Sequence, residues 1–461
     1  MNELLSPQDI ISSGLCIGCG SCVAQAASGP RMAFDAYGQY KPHGNLGWQR
    51  APSASFTRTC PFSPAARNED ELAAELFPAP AVRDGHLGSF QAAYVGHVAE
   101  QDFRAQGSSG GLVTWVATEL LRQGLIDGVA HVVATADPQV EGRFFKYRVA
   151  RTEAELRAGA KSRYYPIELS EVLQTIRAVP GRYAVVGLPC FIKAVQLLRR
   201  EDPLLRERIA FTLGLFCGHL KSARFAESFA WQLRVPLPEV QGVEYREKLP
   251  DRPANWYRAQ LTLRNGQQVS RDWWHLADGD WGAGFYMNSA CNFCDDVVAE
   301  TADIAFGDAW VEPYSSDGRG TNVAIVRSPL VQQLVAAALA EGRLSLTEVD
   351  AEFVAQTQAA GFRQRREGLA YRLTWARRGP VQPRKRVAPS AALPRQRKLI
   401  YRFRAFISAA SHRVFRVARA VRRPRVFLGW ARAVLSVYHG LAYHQGKVKE
   451  MWTRWRGLGE G

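Results

Sequence analysis

Residues 90–135 read FQAAYVGHVAEQDFRAQGSSGGLVTWVATELLRQGLIDGVAHVVAT. The first nine residues are strand-like, GLVTWVATELLRQ (111–123) has the apolar spacing of a helix, and VAHVVAT (129–135) returns to strand. The same rhythm recurs downstream. RYAVV (182–186) precedes a helical stretch over 191–200, and IAFTLGLF (209–216) precedes another over 221–233. Strand, turn and helix in alternation argue for an α/β core. Within it, RAQLTLR (258–264) and QQVSR (267–271) flank Asn265-Gly266, a hairpin signal because both residues tolerate positive φ. The expected fold class is therefore α/β, a mixed α+β core with a mixed sheet, and no internal repeat at solenoid periods is present.

Composition divides the chain into three. Residues 1–80 hold four cysteines among Gly, Pro and Ser and end in the linker-like Pro78-Ala79-Pro80. Residues 81–376 carry the α/β pattern, and 377–461 form a basic tail. The formal charge of +16 is uneven: 377–461 carry 21 Lys and Arg against Glu450 and Glu460, while the other residues balance at −3. Such a distribution excludes a uniform polyanion-binding surface and a nucleic-acid function for the body, and suits a basic appendage meeting an anionic surface. The tail's opening, 381–394, is rich in Pro and basic residues and is expected to be unstructured. Beyond it, Leu399, Phe403, Phe406, Ala410, Val414, Val417 and Val421 recur at steps of three and four, with Arg402, Arg404, Arg413, Arg416 and Arg419 among them. An interfacial helix against the inner face of a membrane is one reading, with Trp430, Tyr438, Tyr443, Trp452 and Trp455 at headgroup level. A helix packed on the body is the other. Arginines interrupt every apolar run long enough to cross a bilayer. The opening MNELLSPQDIISS is short and polar, unlike a secretory signal, so a reducing cytoplasmic setting is expected.

Eight cysteines then require an account, since a chain of 461 residues can bury a core without disulfides. Cys16, Cys19 and Cys22 form C-x-x-C-x-x-C, and Cys60 follows in Cys-Pro. Three thiolates at this spacing wrap one side of a cubane, Gly18 and Gly20 let the backbone curl around it, and Cys60 supplies the remote ligand. A further cysteine that would serve a second cluster is replaced by Ala26. Zinc or a redox dithiol are the competitors, and a [4Fe-4S] cluster is favoured. The other four are Cys190, Cys217, Cys291 and Cys294, two of them in C-x-x-C and two at the ends of expected strands, where α/β sheets bind ligands. Singly, a buried cysteine after a strand is more often a core residue. Together, the four favour a second [4Fe-4S] cluster, with structural zinc as the alternative.

The loop Gly107, Ser108, Ser109, Gly110 and Gly111 opens directly into the 111–123 helix. Small residues before a helix leave amides available to a phosphate or an electron-rich ring, although they also serve as ordinary caps.

GSSGGLVTWVATELLRQGLIDGV, KSRYY (161–165), GLPC (187–190), CNFC (291–294) and ADIAFGDAW (302–310) together resemble the beta subunit of coenzyme F420-reducing hydrogenase and its relatives, the plant 7-hydroxymethyl chlorophyll a reductase among them. The resemblance covers roughly residues 14–330, with the motifs in the family's order. It implies non-covalent FAD against Gly107 to Gly111, Lys161, Ser162, Arg163 and Tyr164, and the turn Gly187, Leu188, Pro189, with Asp308 nearby. A turn-stabilising role for Asp308 weighs equally. The fused N-terminal cysteine module, ferredoxin-like in spacing, and the basic tail depart from the hydrogenase subunit and leave the deazaflavin substrate open. The expected function is an iron-sulfur flavoprotein oxidoreductase passing electrons from a ferredoxin-like donor or redox partner subunit to a small organic substrate. Coenzyme F420 or a compound of surface polysaccharide metabolism would fit that place. The alternative is a non-catalytic electron-relay subunit. His131, His219 and His275 are candidate proton donors, though a lone histidine is more often structural.

Overall fold

The computed structural model describes residues 4–26, 28–376 and 379–443. Its centre is an eight-stranded sheet made of β1 (Ala92–Val98), β2 (Gly128–Ala134), β3 (Phe145–Ala150), β4 (Tyr183–Gly187), β5 (Ile209–Leu215), β6 (Ile304–Asp308), β7 (Asn322–Val326) and β8 (Leu344–Val349). In space the order is β8-β1-β7-β6-β5-β4-β2-β3. Four adjacent strands, β6, β5, β4 and β2, run parallel. β3 closes one side antiparallel, and β7, β1 and β8 alternate direction on the other. The sheet is thus mixed, as the sequence pattern requires. Because β1 lies two reversals from β6, its direction matches that of the parallel block. The C-terminal ends of β1, β2, β4, β5 and β6 therefore share one edge.

Side chains alternate across the sheet with the period of two that strands impose. On β4, Tyr183 and Val185 join the apolar cluster that holds Phe191, Ala194 and Leu198 of the helix Pro189–Glu201. Ala184 and Val186 face the other way, into the cluster of Trp115, Val116 and Leu120 on the helix Leu112–Arg122. A smaller antiparallel sheet, Val240–Glu247, Arg258–Leu263 and Gln268–Asp272, stands beside this core. Its Asn265-Gly266 hairpin is present with a different turn from the one expected. Leu263 and Gln267 close a three-residue loop in which Gly266 alone has positive φ, +83°.

The first region is short helices around a hairpin of Arg31–Phe34 and Tyr40–His43. Its Leu5, Ile10, Leu15, Phe56 and Phe62 belong to the same continuous apolar cluster as Val185 and Phe191 of the core and Phe415 and Phe427 of the tail. All three compositional regions therefore bury surface against one another.

The tail differs from expectation in two respects. Its opening is docked: Lys385 pairs with Asp295 at 3.2 Å, and Arg386 bonds both carboxylate oxygens of Glu300 at 2.6 and 2.7 Å and reaches Asp70 at 2.8 Å. Buried ion pairing thus overrides a composition that reads as disordered. Two helices follow, Arg395–Ala420 and Pro424–Tyr443. The first buries Ile400, Tyr401, Arg404, Ile407, Ser411, His412, Phe415 and Ala418. Of the stripe picked out by spacing, Leu399, Phe406, Val417 and Val421 face outward, between 44% and 55% exposed, while Phe403 and Val414 pack, partly buried, against the core cluster. Both sides of this helix carry apolar residues at helical spacing, and polar partners decided which side went in. Ser411 accepts the Tyr286 amide at 2.9 Å, and His412 meets the Met287 carbonyl at 3.1 Å. Among the described residues no helix is long and apolar enough to cross a membrane. Trp452 and Trp455 lie outside them.

Candidate functional site

The shared edge of strand C-termini carries about half of the residues singled out by sequence. β1 leads to the 107–111 loop, β4 to Gly187-Leu188-Pro189 and Cys190, β5 to Cys217, and β6 ends on Asp308. Ligands bind at such an edge because strand ends expose turns and helix N-termini there.

The 107–111 loop is buried and held from several sides. The Gly110 carbonyl accepts the Val98 amide at 2.9 Å, and Ser109 Oγ donates to the Thr321 carbonyl at 3.0 Å. Asn322 Oδ1 takes the Leu112 amide at 3.1 Å. Beneath the loop, Lys248 Nζ donates to the carbonyls of Arg104, Ser109 and Arg319 at 2.5, 3.1 and 2.7 Å. Burial, then Lys161, Arg246 and Arg104, push the Lys248 amine down to about 7. Gly110 is fixed by the sheet, since a Cβ there would stand 2.8 Å from the Gly96 carbonyl oxygen and 2.9 Å from the Asn322 amide. Among the described residues, the amides of Ser108, Ser109, Gly110 and Gly111 find no protein acceptor. Four consecutive buried donors in a basic setting suit an anionic or electron-rich group.

Ser108 Oγ accepts the Ser162 amide at 2.9 Å, which joins the loop to the 161–164 segment. Arg163 is buried over the Phe145 ring and faces Glu244 at 3.4 Å. Tyr164 enters an aromatic wall, 4.7 Å from Trp281 and 5.8 Å from Trp273 between ring centroids. Trp281 stacks in turn on His219 at 4.4 Å. His219 is buried, neither of its ring nitrogens has a partner among the described residues, and burial holds it well below the usual imidazole range. Of the three histidines considered, His219 is the one two residues from a cysteine at this edge; His131 lies within β2 and His275 in a short helical turn after the smaller sheet. Arg246 grips both oxygens of Asp308, at 2.9 and 3.1 Å. The Gly187-Leu188-Pro189 turn follows β4 at the same edge. Tyr147 donates to the Val186 carbonyl at 2.7 Å there, and the turn leads directly into Cys190.

The cysteines stand as two quartets of free thiols. Burial raises Cys22 well above the ordinary thiol value, and Cys19, Cys16 and Cys60 raise it further, so these four share one site. A cavity lined by all four, with Ile10, Leu15, Phe56 and Phe62, lies between them. Gly18 and Gly20 are required, at φ +75° and +81°, because a Cβ on either would come within 2.5 Å of Tyr40 O or Glu168 Oε2. In the second quartet, burial raises Cys190 strongly, followed by the effects of Cys294, Cys217 and Cys291 and then of Cys19. The two quartets are therefore neighbours. The Leu220 amide donates to Cys291 Sγ at 3.3 Å, and burial lifts that thiol to about 11. Among the described residues no group of three or more His, Cys, Asp or Glu side chains is arranged to hold a metal ion as the side chains stand. The donor chemistry nonetheless fits a thiolate-ligated centre, because four crowded, buried thiols ionise only against a cationic core.

Sequence reasoning missed Lys248, Arg246, Lys385 and Arg365. It grouped Arg404 with the other arginines of a basic helix, whereas the structure buries it. No local motif marks the first four. Arg404 had a signal in the alternative apolar side of its helix, Ile400, Ile407 and Phe415.

Comparison with known proteins bears on this region. Residues 93–174 match the family profile for the N-terminal part of the coenzyme F420 hydrogenase/dehydrogenase beta subunit, and 181–352 match the profile for the C terminus of the same protein. The coenzyme F420-dependent sulfite reductase of Methanocaldococcus jannaschii is 23% identical over 315 residues, 65% of this chain and 43% of that protein. The chain thus spans less than half of that curated relative. A solved chain of the F420-reducing [NiFe] hydrogenase complex from Methanosarcina barkeri superposes with a TM-score of 0.50 at 18% identity, covering 66% of this chain and 99% of that one, which shows a shared fold. Matched through both halves of its strand-and-helix core, the chain belongs to the coenzyme F420 hydrogenase/dehydrogenase beta subunit family.

Proposed function

We propose that the chain is an iron-sulfur flavoprotein oxidoreductase of this family, taking electrons from a ferredoxin-like donor or redox partner subunit and delivering them to a small organic substrate. The observation that carries the reading is an edge of strand ends that bears Cys190, Cys217 and four amides without a protein acceptor among the described residues, with the second thiol quartet neighbouring the first. Cys16, Cys19, Cys22 and Cys60 would hold one [4Fe-4S] cluster in a ferredoxin-like module, and Cys190, Cys217, Cys291 and Cys294 a second. FAD would lie against 107–111, 161–164 and the Gly187-Leu188-Pro189 turn, with Asp308 nearby. When bound, these groups supply one-electron carriers beside a flavin able to exchange one or two electrons. The chain's own residues prepare that site. Lys248 fixes the Ser109 carbonyl of the loop together with those of Arg104 and Arg319 beside it, the Ser108–Ser162 bond brings the Lys161 segment alongside, and Tyr164, Trp273 and Trp281 form an aromatic wall.

Anaerobic purification should yield about eight iron and eight sulfide per chain with non-covalent FAD, falling to half the iron in Cys19→Ala and in Cys294→Ala. Stoichiometric zinc at the second quartet, or no flavin, would sink the reading. The relay alternative draws on the hydrogenase complex in which the structural neighbour sits. Substrate turnover by the isolated chain with an artificial reductant separates the two.

A cytoplasmic protein touching anionic lipid through its tail is the part of the proposal that concerns location. Leu399, Phe406, Val417 and Val421 stand exposed beside Arg402, Arg413, Arg416 and Arg419, and no acidic residue occurs between Glu367 and Glu450. Each arginine near anionic lipid contributes on the order of 1 kcal/mol. Co-sedimentation with phosphatidylserine vesicles at low salt, lost when Phe406 and Val417 are both changed to Ser, is the expected result.

A further inference from the structure

Three arginines are buried around the second cysteine quartet, and among the described residues none of them has a carboxylate partner. Arg365, 3% exposed, lies against Cys294 with Cys217 and Cys291 also in its field, and its Nε finds no acceptor. Arg404 comes from the first tail helix, is 8% exposed, and acts on Cys291 from across the Ser289–Phe293 turn. Arg372 donates to the carbonyls of Asn292 and Gln364 at 2.7 and 2.6 Å. Burying guanidinium groups without counter-charge is expensive, so such a cluster points to an anion in its midst. Four thiolates around a bound cubane would be that anion.

The other charges facing this quartet do not cancel the excess. Asp295 is paired with Lys385 and Arg386. Asp296 faces Cys217 and accepts the amides of Val298 and Glu300 at 2.9 and 3.0 Å. Glu300 is tied to Arg386. The N-terminal quartet is set differently. Its cavity is lined by Ile10, Leu15, Ile17, Met32, Phe56 and the four cysteines, without an arginine or lysine. Lys41 bonds the Cys16 carbonyl at 2.7 Å from the rim. Lys385, over the Phe62 ring at 4.8 Å and paired with Asp295 at 3.2 Å, has Cys294 of the core quartet in its field.

We infer that Arg365, helped by Arg404 of the tail, makes the cluster of Cys190, Cys217, Cys291 and Cys294 the easier of the two to reduce, so that electrons entering at the N-terminal quartet run toward the flavin edge. This rests on the proposed cofactor content. A cluster gains one negative charge on reduction, and fixed positive charge in a dry surround stabilises that reduced form. In the transfer itself the N-terminal cluster loses one electron and the core cluster gains it. No bond is made or broken, and the electron originates in a ferredoxin-like reductant. Because Arg404 lies on the tail, the tail takes part in setting the direction.

The test is a redox titration of the full chain, holding both clusters, followed by electron paramagnetic resonance. Two waves are expected, assigned by which one Cys19→Ala removes, with the core wave at the higher potential. Arg365→Gln should lower the core wave by at least tenfold in the reduction equilibrium, 59 mV for a one-electron couple, and leave the other in place. Arg365→Lys should retain most of the wild-type value, which a purely structural role would not predict. A core wave below the N-terminal one, or one unmoved by Arg365→Gln, overturns the inference. If Arg365→Gln sheds the cluster, Arg404→Gln decides: a lowered core wave supports the assignment and an unchanged one ends it. Loss of no iron in Cys294→Ala would instead defeat the cofactor assignment, a separate failure.

Discussion

Phe415→Ala distinguishes a tail that belongs to the fold from one that hangs off it. The Phe415 side chain is fully buried, with its ring stacked on Trp231 at 4.2 Å and set edge-on to Tyr286 at 5.5 Å and Phe427 at 5.1 Å. Truncating a buried phenylalanine costs about 3–5 kcal/mol, and aromatic pairs add roughly 0.5–1.5 kcal/mol each beyond their buried area. A loss of about 4 kcal/mol follows, roughly a thousandfold in the folding equilibrium. Phe406, nine residues earlier and about half a turn around the same helix, is 52% exposed and supplies the control. Phe406→Ala should stay within about 0.5 kcal/mol of wild type. Equilibrium urea denaturation reads the global effect. Hydrogen exchange at the Tyr286 amide, which donates to Ser411 Oγ at 2.9 Å, reads the local one. A Phe415→Ala chain with the wild-type urea midpoint and a protected Tyr286 amide would refute the packing argument.

His131 gives a pH dependence with a definite sign. Burial pushes it down to about 4 from 6.5, so the unfolded chain binds a proton that the folded chain does not between those values. Stability is lost as the pH falls through that window, and His131→Leu should lose less of its urea midpoint than wild type between pH 6.5 and 4. Lys248→Met leaves the carbonyls of Arg104, Ser109 and Arg319 without their donor, at about 1 kcal/mol for each lost bond. Flavin retained after gel filtration should fall at least tenfold; full retention would mean that the loop holds its shape without the lysine. Ser108→Ala, which frees the Ser162 amide, should weaken flavin retention less than Lys248→Met does.

How much of this was legible in the sequence depends on the range of the forces involved. The elements of the sheet were readable because their signal is local: the helix Leu112–Arg122 and β4 at Tyr183–Gly187 fall within a residue or two of where periodicity puts them. The Asn265-Gly266 hairpin was also readable, though its three-residue turn was not, since Asn-Gly fits several hairpin loops. The cysteine spacing identified one quartet directly. The other was assembled from cysteines up to 104 positions apart, and only the convergence of β4 and β5 with the Ser289–Phe293 turn explains why they meet. The docked opening of the tail was illegible for the same reason. Lys385 and Arg386 read as solvated charge until Asp295 and Glu300, some 90 residues earlier, are placed beside them.

The family match covers 93–352, and the additions on either side of it pack against each other as well as on the core. The Val381 amide donates to Ser13 Oγ at 3.0 Å, Arg386 reaches Asp70 at 2.8 Å, and His412 lies 3.3 Å from the Gln39 amide nitrogen and 5.8 Å from the Tyr37 ring. On the core side, the same segment brings Lys385 to Asp295, next to Cys294, and Arg404 to the turn that holds Cys291. The N-terminal module is bonded inward as well, through the Leu169 amide to the Cys19 carbonyl at 2.8 Å and through Asn288 to the Cys16 carbonyl at 3.4 Å. Each addition therefore stabilises the place of the other. A chain that acquired the first quartet without the tail would leave Gln39, Ser13 and Asp70 without these partners and the second quartet without one of its arginines. The basic composition of the tail, which in isolation suggests an appendage for anionic surfaces, brings on its inner side a buried arginine to the turn of Cys291 and a clasp to the module beside it.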